Sequence, residues 1–285
     1  MAKVIGGIFT SHVPAIGGAI AKGLQEDPYW KPFFDGFKPV HEWLKDNKPD
    51  YVVTFSNDHG LNFFLDKMPT FAVGAAPQYD NADEGWGLPL FKSVPGAPEL
   101  SWHIINTLVE EEFDIVTCQE MLIDHALSIP LELSWPNSNG YDFKLVPVGI
   151  NTVQHPLPSP KRALALGRAV HKAIESWDED AKVLIFGTGG LSHQLDGERA
   201  GFMNPDYDKF CLDNLPSNPD ALTKHSALDI VELSGSQGIE ILNWIAARGA
   251  MGDGAREASR NYHIPISNTA AATVLMTTDH ALTLA

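Results

Sequence analysis

The chain has 285 residues, a formal net charge of −16, 44% hydrophobic and 20% charged residues, and two cysteines. This is ordinary globular composition, long enough for a large domain without disulfide staples, and Cys118 and Cys211 form no CxxC zinc pattern. The acidic balance argues against nucleic acid or an anionic membrane as partner, because binding phosphates requires a basic face.

The start, MAKVIGGIFT, has no basic segment leading into a long apolar run. No stretch approaches the ~20 apolar residues of a membrane span. Few cysteines fit a reducing compartment, so a soluble, cytoplasmic protein is expected.

Short apolar runs alternate with longer helical patterns. That predicts an α/β fold: a single domain over residues 1–285, with a central mixed β-sheet flanked by helices and the active site at strand ends. Residues 4–9 read as a first strand. Residues 28–45 read as one helix, with Asp27 as N-cap, Pro28 at the first position, and Pro32 and Pro39 disturbing the interior. Residues 51–55 form a second strand that runs into the polar turn 56–60, and 71–73 a short third. The stretch 79–97 is rich in Gly, Pro, Asp and Glu and reads as a loop, with residues 80–86 as a candidate lid. Helix 98–112, strand 114–118, strand 144–150 and helix 160–177 follow. Residues 183–186 make the clearest buried strand, and GTGGLSHQ comes directly after it. Residues 205–250 read as helices, the last over 237–248 and stopping at Gly249. Residues 273–276 are a closing strand.

Four histidines sit where buried strands are expected to end: His12 in FTSHVPA, His59 in FSNDHG, His125 in LIDHAL and His193 in GTGGLSHQ. In open α/β sheets, ligands bind outside the carboxyl ends of the strands. Any one of these alone reads as an ordinary loop histidine; several in the same topological position point to a site. Glu240 interrupts the apolar segment GIEILNWIAARGAM. A buried carboxylate there is costly unless paired or bound to metal. Equally, Glu240 lies on a narrow wet stripe with Asn243 and Arg248, and the pattern does not choose between the two. Two imidazoles and one carboxylate form a facial set that leaves open positions on a non-haem Fe(II). Spare histidines beside it handle protons near neutral pH. The same donors suit the zinc of a hydrolase.

Gly187, Gly189 and Gly190 fit neither a GxGxxG fingerprint nor a GxSxG elbow. They let the backbone bend so that His193 points into a cleft. A Ser192/His193 nucleophilic pair is a weak alternative. Ser267 and Asn268, in HIPISNTA, read from spacing as turn residues.

With these residues in view, the chain resembles the class III extradiol ring-cleavage dioxygenases, most closely the catalytic β subunits that act on protocatechuate. The resemblance covers nearly the whole chain. It rests on SHVPA, NDH at 57–59, PTFAVG at 69–74, ADEGWG at 82–87, DH at 124–125, GTGGLSHQLDGERAG at 187–201, the GIE…W…ARGAM helix and YHIPISNTA at 262–270. It implies that His12, His59 and Glu240 bind Fe(II), that His193 is the acid/base histidine and that His125 is a second active-site histidine near the bound ring. It also implies that Ser267 and Asn268 meet the substrate carboxylate. The implied reaction is extradiol cleavage of a carboxylated catechol with O2; gallate and 3-O-methylgallate enzymes share much of the pattern. An oligomer is expected. A separate small helical α subunit over the site, or none, is left open.

Overall fold

The computed structural model describes residues 1–85 and 91–281. Its strands are β1 (Lys3–Thr10), β2 (Tyr51–Ser56), β3 (Phe71–Gly74), β4 (Gln78–Tyr79), β5 (Val94–Pro95), β6 (Val116–Cys118), β7 (Lys144–Ile150), β8 (Lys182–Thr188), β9 (Arg256–Ile266) and β10 (Thr269–Thr277). The helices are α1 (Pro14–Ala21), α2 (Lys31–Asp35), α3 (Lys38–Asp46), α4 (Pro98–Glu110), α5 (His125–Ser134), α6 (Pro160–Ser176), α7 (Pro205–Asn214), α8 (Ala227–Ser234) and α9 (Ile241–Ala250).

One mixed eight-stranded sheet runs in the order β6-β3-β7-β2-β8-β1-β10-β9. The inner strands β7, β2, β8 and β1 are parallel, and β3 and β10 pair antiparallel to them on either side. Strands buried on both faces read as continuous apolar runs. In β8, Val183 and Ile185 join one core layer while Leu184 and Phe186 join the other. The first layer takes α4, α6 and α9, and the second takes α3 and α5. The predicted α/β sheet with flanking helices is therefore what forms. The short β4–β5 pair falls at the two ends of the stretch 79–97 expected to be loop, with Gln78 just before it.

Several expectations need correction. The helix expected over 28–45 is two helices, because Pro32 and Pro39 each fall in a first turn, where proline starts a helix rather than disturbing it. The closing strand is longer than 273–276 and is half of the β9–β10 hairpin. Strand β9 has no strand signature in the sequence, because REASRNYHIPI carries charges and amides along an edge strand, which native sheets use to blunt their edges. The helix expected over 237–248 begins as a 3-10 turn, Gly238–Glu240, and Glu240 becomes the N-cap of α9 rather than an interior residue. His125 follows no strand; it opens α5 behind the N-cap Asp124. Residue 86 of the candidate lid lies outside the described residues. No helix among the described residues is long and apolar enough to cross a membrane.

Candidate active site

Because β8 lies between β2 and β1, three strand ends arrive side by side on one edge of the sheet. The end of β1 carries His12, the end of β2 carries Asn57 and His59, and the end of β8 carries residues 189–193. They open into a cavity of about 600 Å³ that also reaches His125, Thr152 and Glu240.

His12 is buried, with Nδ1 3.2 Å from Thr188 Oγ1. Its Nε2 is buried without a hydrogen-bond partner and stands 3.4 Å from Glu240 Oε1. His59 is set by two carboxylates. Asp58 accepts from the backbone N–H groups of Gly60, Leu61, Asn62 and Phe63, which folds the turn tightly. Asp124 Oδ2 accepts from both the backbone N–H and Nδ1 of His59, each at 2.9 Å. With Nδ1–H given to a carboxylate, His59 Nε2 faces inward, 3.6 Å from Glu240 Oε1.

Glu240 is held at both oxygens. Gly190 N–H donates to Oε2 at 2.7 Å and Asn57 Nδ2 to Oε1 at 3.2 Å. Asn57 is fixed in turn by Asn243 Nδ2, which donates to Asn57 Oδ1 and to Thr188 O. Glu240, Asn243 and Arg248 are all buried, which removes the wet-stripe alternative.

His193 Nδ1 lies 2.9 Å from Leu191 O. A carbonyl can only accept, so Nδ1 carries the proton and Nε2 is the basic nitrogen. Ser192 forms no pair with it: its hydroxyl donates to Asp208 Oδ2 at 2.7 Å, an anchor shared with Tyr262 OH. His125 sits with its ring 4.0 Å from that of His59 and 5.3 Å from that of His12. Ser267 and Asn268 form the β9–β10 turn, both with positive φ, 50° and 61°. Ser267 lines the cavity, whereas Asn268 is not part of its lining.

Charge follows this geometry. Burial would push the Glu240 carboxyl up, but His12 and His59 more than offset it and hold it well below the usual carboxylate range. Burial would lower His59, yet the charge and hydrogen bond of Asp124, helped by Glu240, raise it to about 10. Asp124 is held low against its own burial by His59. For His125, burial comes first and the neighbouring His59 charge adds to it, so its pKa is lowered despite Glu84.

The donor set fits a metal ion. One ring nitrogen from each of His12, His59 and His125 lies within 4.8 Å of the others, and Glu240 Oε1 lies close to two of the three rings. The buried Nε2 of His12 would leave a polar atom unsatisfied if no ion completed it.

Sequence reasoning did not single out Thr152, Thr188, Asn57 or the carboxylates of Asp124 and Glu84 as contributors. Asn57 and Asp124 lay inside the NDH and DH motifs, so their position beside a candidate ligand was a usable signal. Thr152 carried none.

The chain matches the family described as the catalytic LigB subunit of aromatic ring-opening dioxygenase over residues 6–275. It belongs to that family. Gallate dioxygenase of Pseudomonas putida is 35% identical over 201 residues, 70% of this chain and 59% of that protein. A 2,3-dihydroxyphenylpropionate/2,3-dihydroxicinnamic acid 1,2-dioxygenase of Photorhabdus laumondii is 32% identical over 203 residues, 71% of this chain and 60% of that protein. An enzyme of the same name from Rhodococcus jostii is 26% identical over 290 residues, covering 85% of this chain and 87% of the relative. The LigB-family chain thus spans about three-fifths of the first two relatives.

Proposed function

We propose that residues 1–285 form the catalytic domain of an Fe(II)-dependent extradiol dioxygenase that opens a carboxylated catechol, such as protocatechuate, with O2. The observation that carries this reading is His12 Nε2, buried without a hydrogen-bond partner among the described residues and turned toward the same Glu240 oxygen that His59 Nε2 approaches. His12, His59 and Glu240 would hold the metal, a two-histidine, one-carboxylate set that leaves room for substrate and O2. When bound, Fe(II) supplies a charge that acidifies the diol and a redox-active centre through which O2 takes up electrons from the ring.

The protein's own groups supply the rest. His193 takes a diol proton at Nε2 and holds it for return to oxygen as the O–O bond breaks. His125 lies against the bound ring. Ser267 takes the substrate carboxylate, with Asn268 holding the turn in a left-handed conformation that Asn tolerates. One ring C–C bond beside the diol and the O–O bond break, and each oxygen atom ends on one of the two separated carbons. The product is a hydroxymuconate semialdehyde. The kinship with a gallate dioxygenase makes gallate and 3-O-methylgallate the next substrates to try. Exposed Val153 and Leu195 at the cavity rim favour cover by a second chain, such as a small helical α subunit.

The test is anaerobic reconstitution with Fe(II), then oxygen uptake with the three aromatic acids in parallel. Stoichiometric uptake with a coloured ring-opened product is expected, and His12→Ala, His59→Ala or Glu240→Ala abolishes iron retention. Tight zinc binding at the same residues with no oxygen uptake, with or without a small subunit, overturns the reading in favour of a hydrolase.

A further inference from the structure

Glu84 belongs to the ADEGWG motif, yet nothing in the proposed reaction uses it. Its side chain is 5% exposed, an unusual place for a glutamate from an acidic loop. Both oxygens are committed to one residue. Oε1 accepts the backbone N–H of His125 at 2.7 Å, and Oε2 lies 2.6 Å from His125 Nδ1. Asp124 grips His59 in the same manner, through backbone N–H and Nδ1 together. Two carboxylates thus serve two neighbouring imidazoles whose rings are 4.0 Å apart.

We propose that Glu84 is a positioning residue for His125, fixing its imidazole as the Nδ1–H tautomer and presenting Nε2 to the aromatic ligand. A carboxylate accepts hydrogen bonds, so the nitrogen facing Glu84 carries the proton and the other nitrogen becomes the acceptor. Charge-assisted bonds of this length are the strong class. The second bond, to the backbone of the same residue, stops the ring from carrying the carboxylate with it when it turns. An acceptor nitrogen at this place meets a hydroxyl of the ligand; the opposite tautomer would present N–H to that hydroxyl. The ligand's identity rests on the reading of the cavity as a diol site, while the tautomer does not.

The experiment uses full-length, metal-free protein labelled with [15N]histidine. Long-range proton–nitrogen correlation reads the tautomer, and His125→Gln assigns the signal. The expected result is Nδ1–H in the wild type, a shift toward Nε2–H in Glu84→Ala, and retention in Glu84→Gln, whose amide oxygen still accepts. In the Fe(II)-loaded enzyme, Glu84→Ala then lowers kcat about 10–100-fold, the usual effect of losing such an orienting partner, and raises KM as the ligand hydroxyl loses its acceptor, with iron content unchanged and partial recovery in Glu84→Gln. A wild-type ring protonated on Nε2, alone or together with Nδ1, overturns the proposal even if Glu84→Ala fails to fold. So does a tautomer indifferent to Glu84→Ala, or a tautomer shift with no loss of kcat. If the tautomer behaves as expected but the wild type opens no aromatic diol, the functional reading falls and the tautomer assignment stands.

Discussion

Gly189 lacks a side chain because Glu240 fills the space one would need: a Cβ there would sit 2.8 Å from both the Cβ and Oε2 of Glu240. The same residue has φ of +112°, which disfavours any L side chain. Gly189→Ala should therefore strain the turn by about 1–3 kcal/mol and push the carboxylate off its Gly190 hydrogen bond. We expect metal affinity to fall about 10–100-fold, as when a ligand loses its orienting partner. Metal content after dialysis, alongside a melting curve, checks this; a folded variant with full metal retention would show that Glu240 is not a ligand.

Metal uptake should release a proton. In the metal-free protein His59 is raised to about 10, chiefly by Asp124 working against burial, so at neutral pH a ligand nitrogen is protonated. Glu240, held well below the usual range, does not compete. The sign follows: affinity is weak where His59 is protonated and rises as pH climbs toward its pKa, about tenfold per unit for one displaced proton. Titration calorimetry in buffers of different ionisation enthalpy counts the proton. A pH-independent affinity contradicts the assignment of His59 as a ligand.

His193→Ala separates proton transfer from metal binding. Its ring is anchored through Leu191 O and lines the same cavity as the candidate ligands. The variant should keep its metal and its affinity for the aromatic acid and lose about 10²–10⁴-fold in kcat. Loss of metal instead would move His193 into the ligand set.

Thr152 offers a buried hydroxyl without a partner at the cavity wall. If a polar group of the substrate completes it, Thr152→Val should raise KM about 2- to 10-fold, the worth of one hydrogen bond, with kcat little changed. An unaltered KM across all three aromatic acids would leave the hydroxyl without a ligand role.

Much of the site was readable because its signals act through chain neighbours. SHVPA, NDH and GTGGLSH are polar segments placed directly after apolar runs, and an apolar run that stops at such a segment marks a strand end. Proline marked the starts of α4 and α6, whereas Pro28 opens no helix and α2 begins only at Lys31. Strand β9 failed the same reading, since an edge strand with charges has the composition of a loop. Glu240 failed it in a different way: the window around it is apolar, but a 3-10 turn ends the preceding segment at that residue and moves it from helix interior to helix start.

By itself the sequence determined the α/β class and the residue types available for chemistry, because hydrophobic runs, prolines and short polar motifs work locally. Only the tertiary structure decided which groups meet. Asn57 and Glu240 are 183 positions apart and touch because α9 packs against β8 and β2, which are neighbours in the sheet. Glu84 and His125, 41 positions apart, pair because a loop folds back over the start of α5. Nothing near a carboxylate in the chain says which imidazole it will face: the order of strands in the sheet sets that, and burial then makes each pairing obligatory, since a carboxylate removed from water without a partner is too costly to keep.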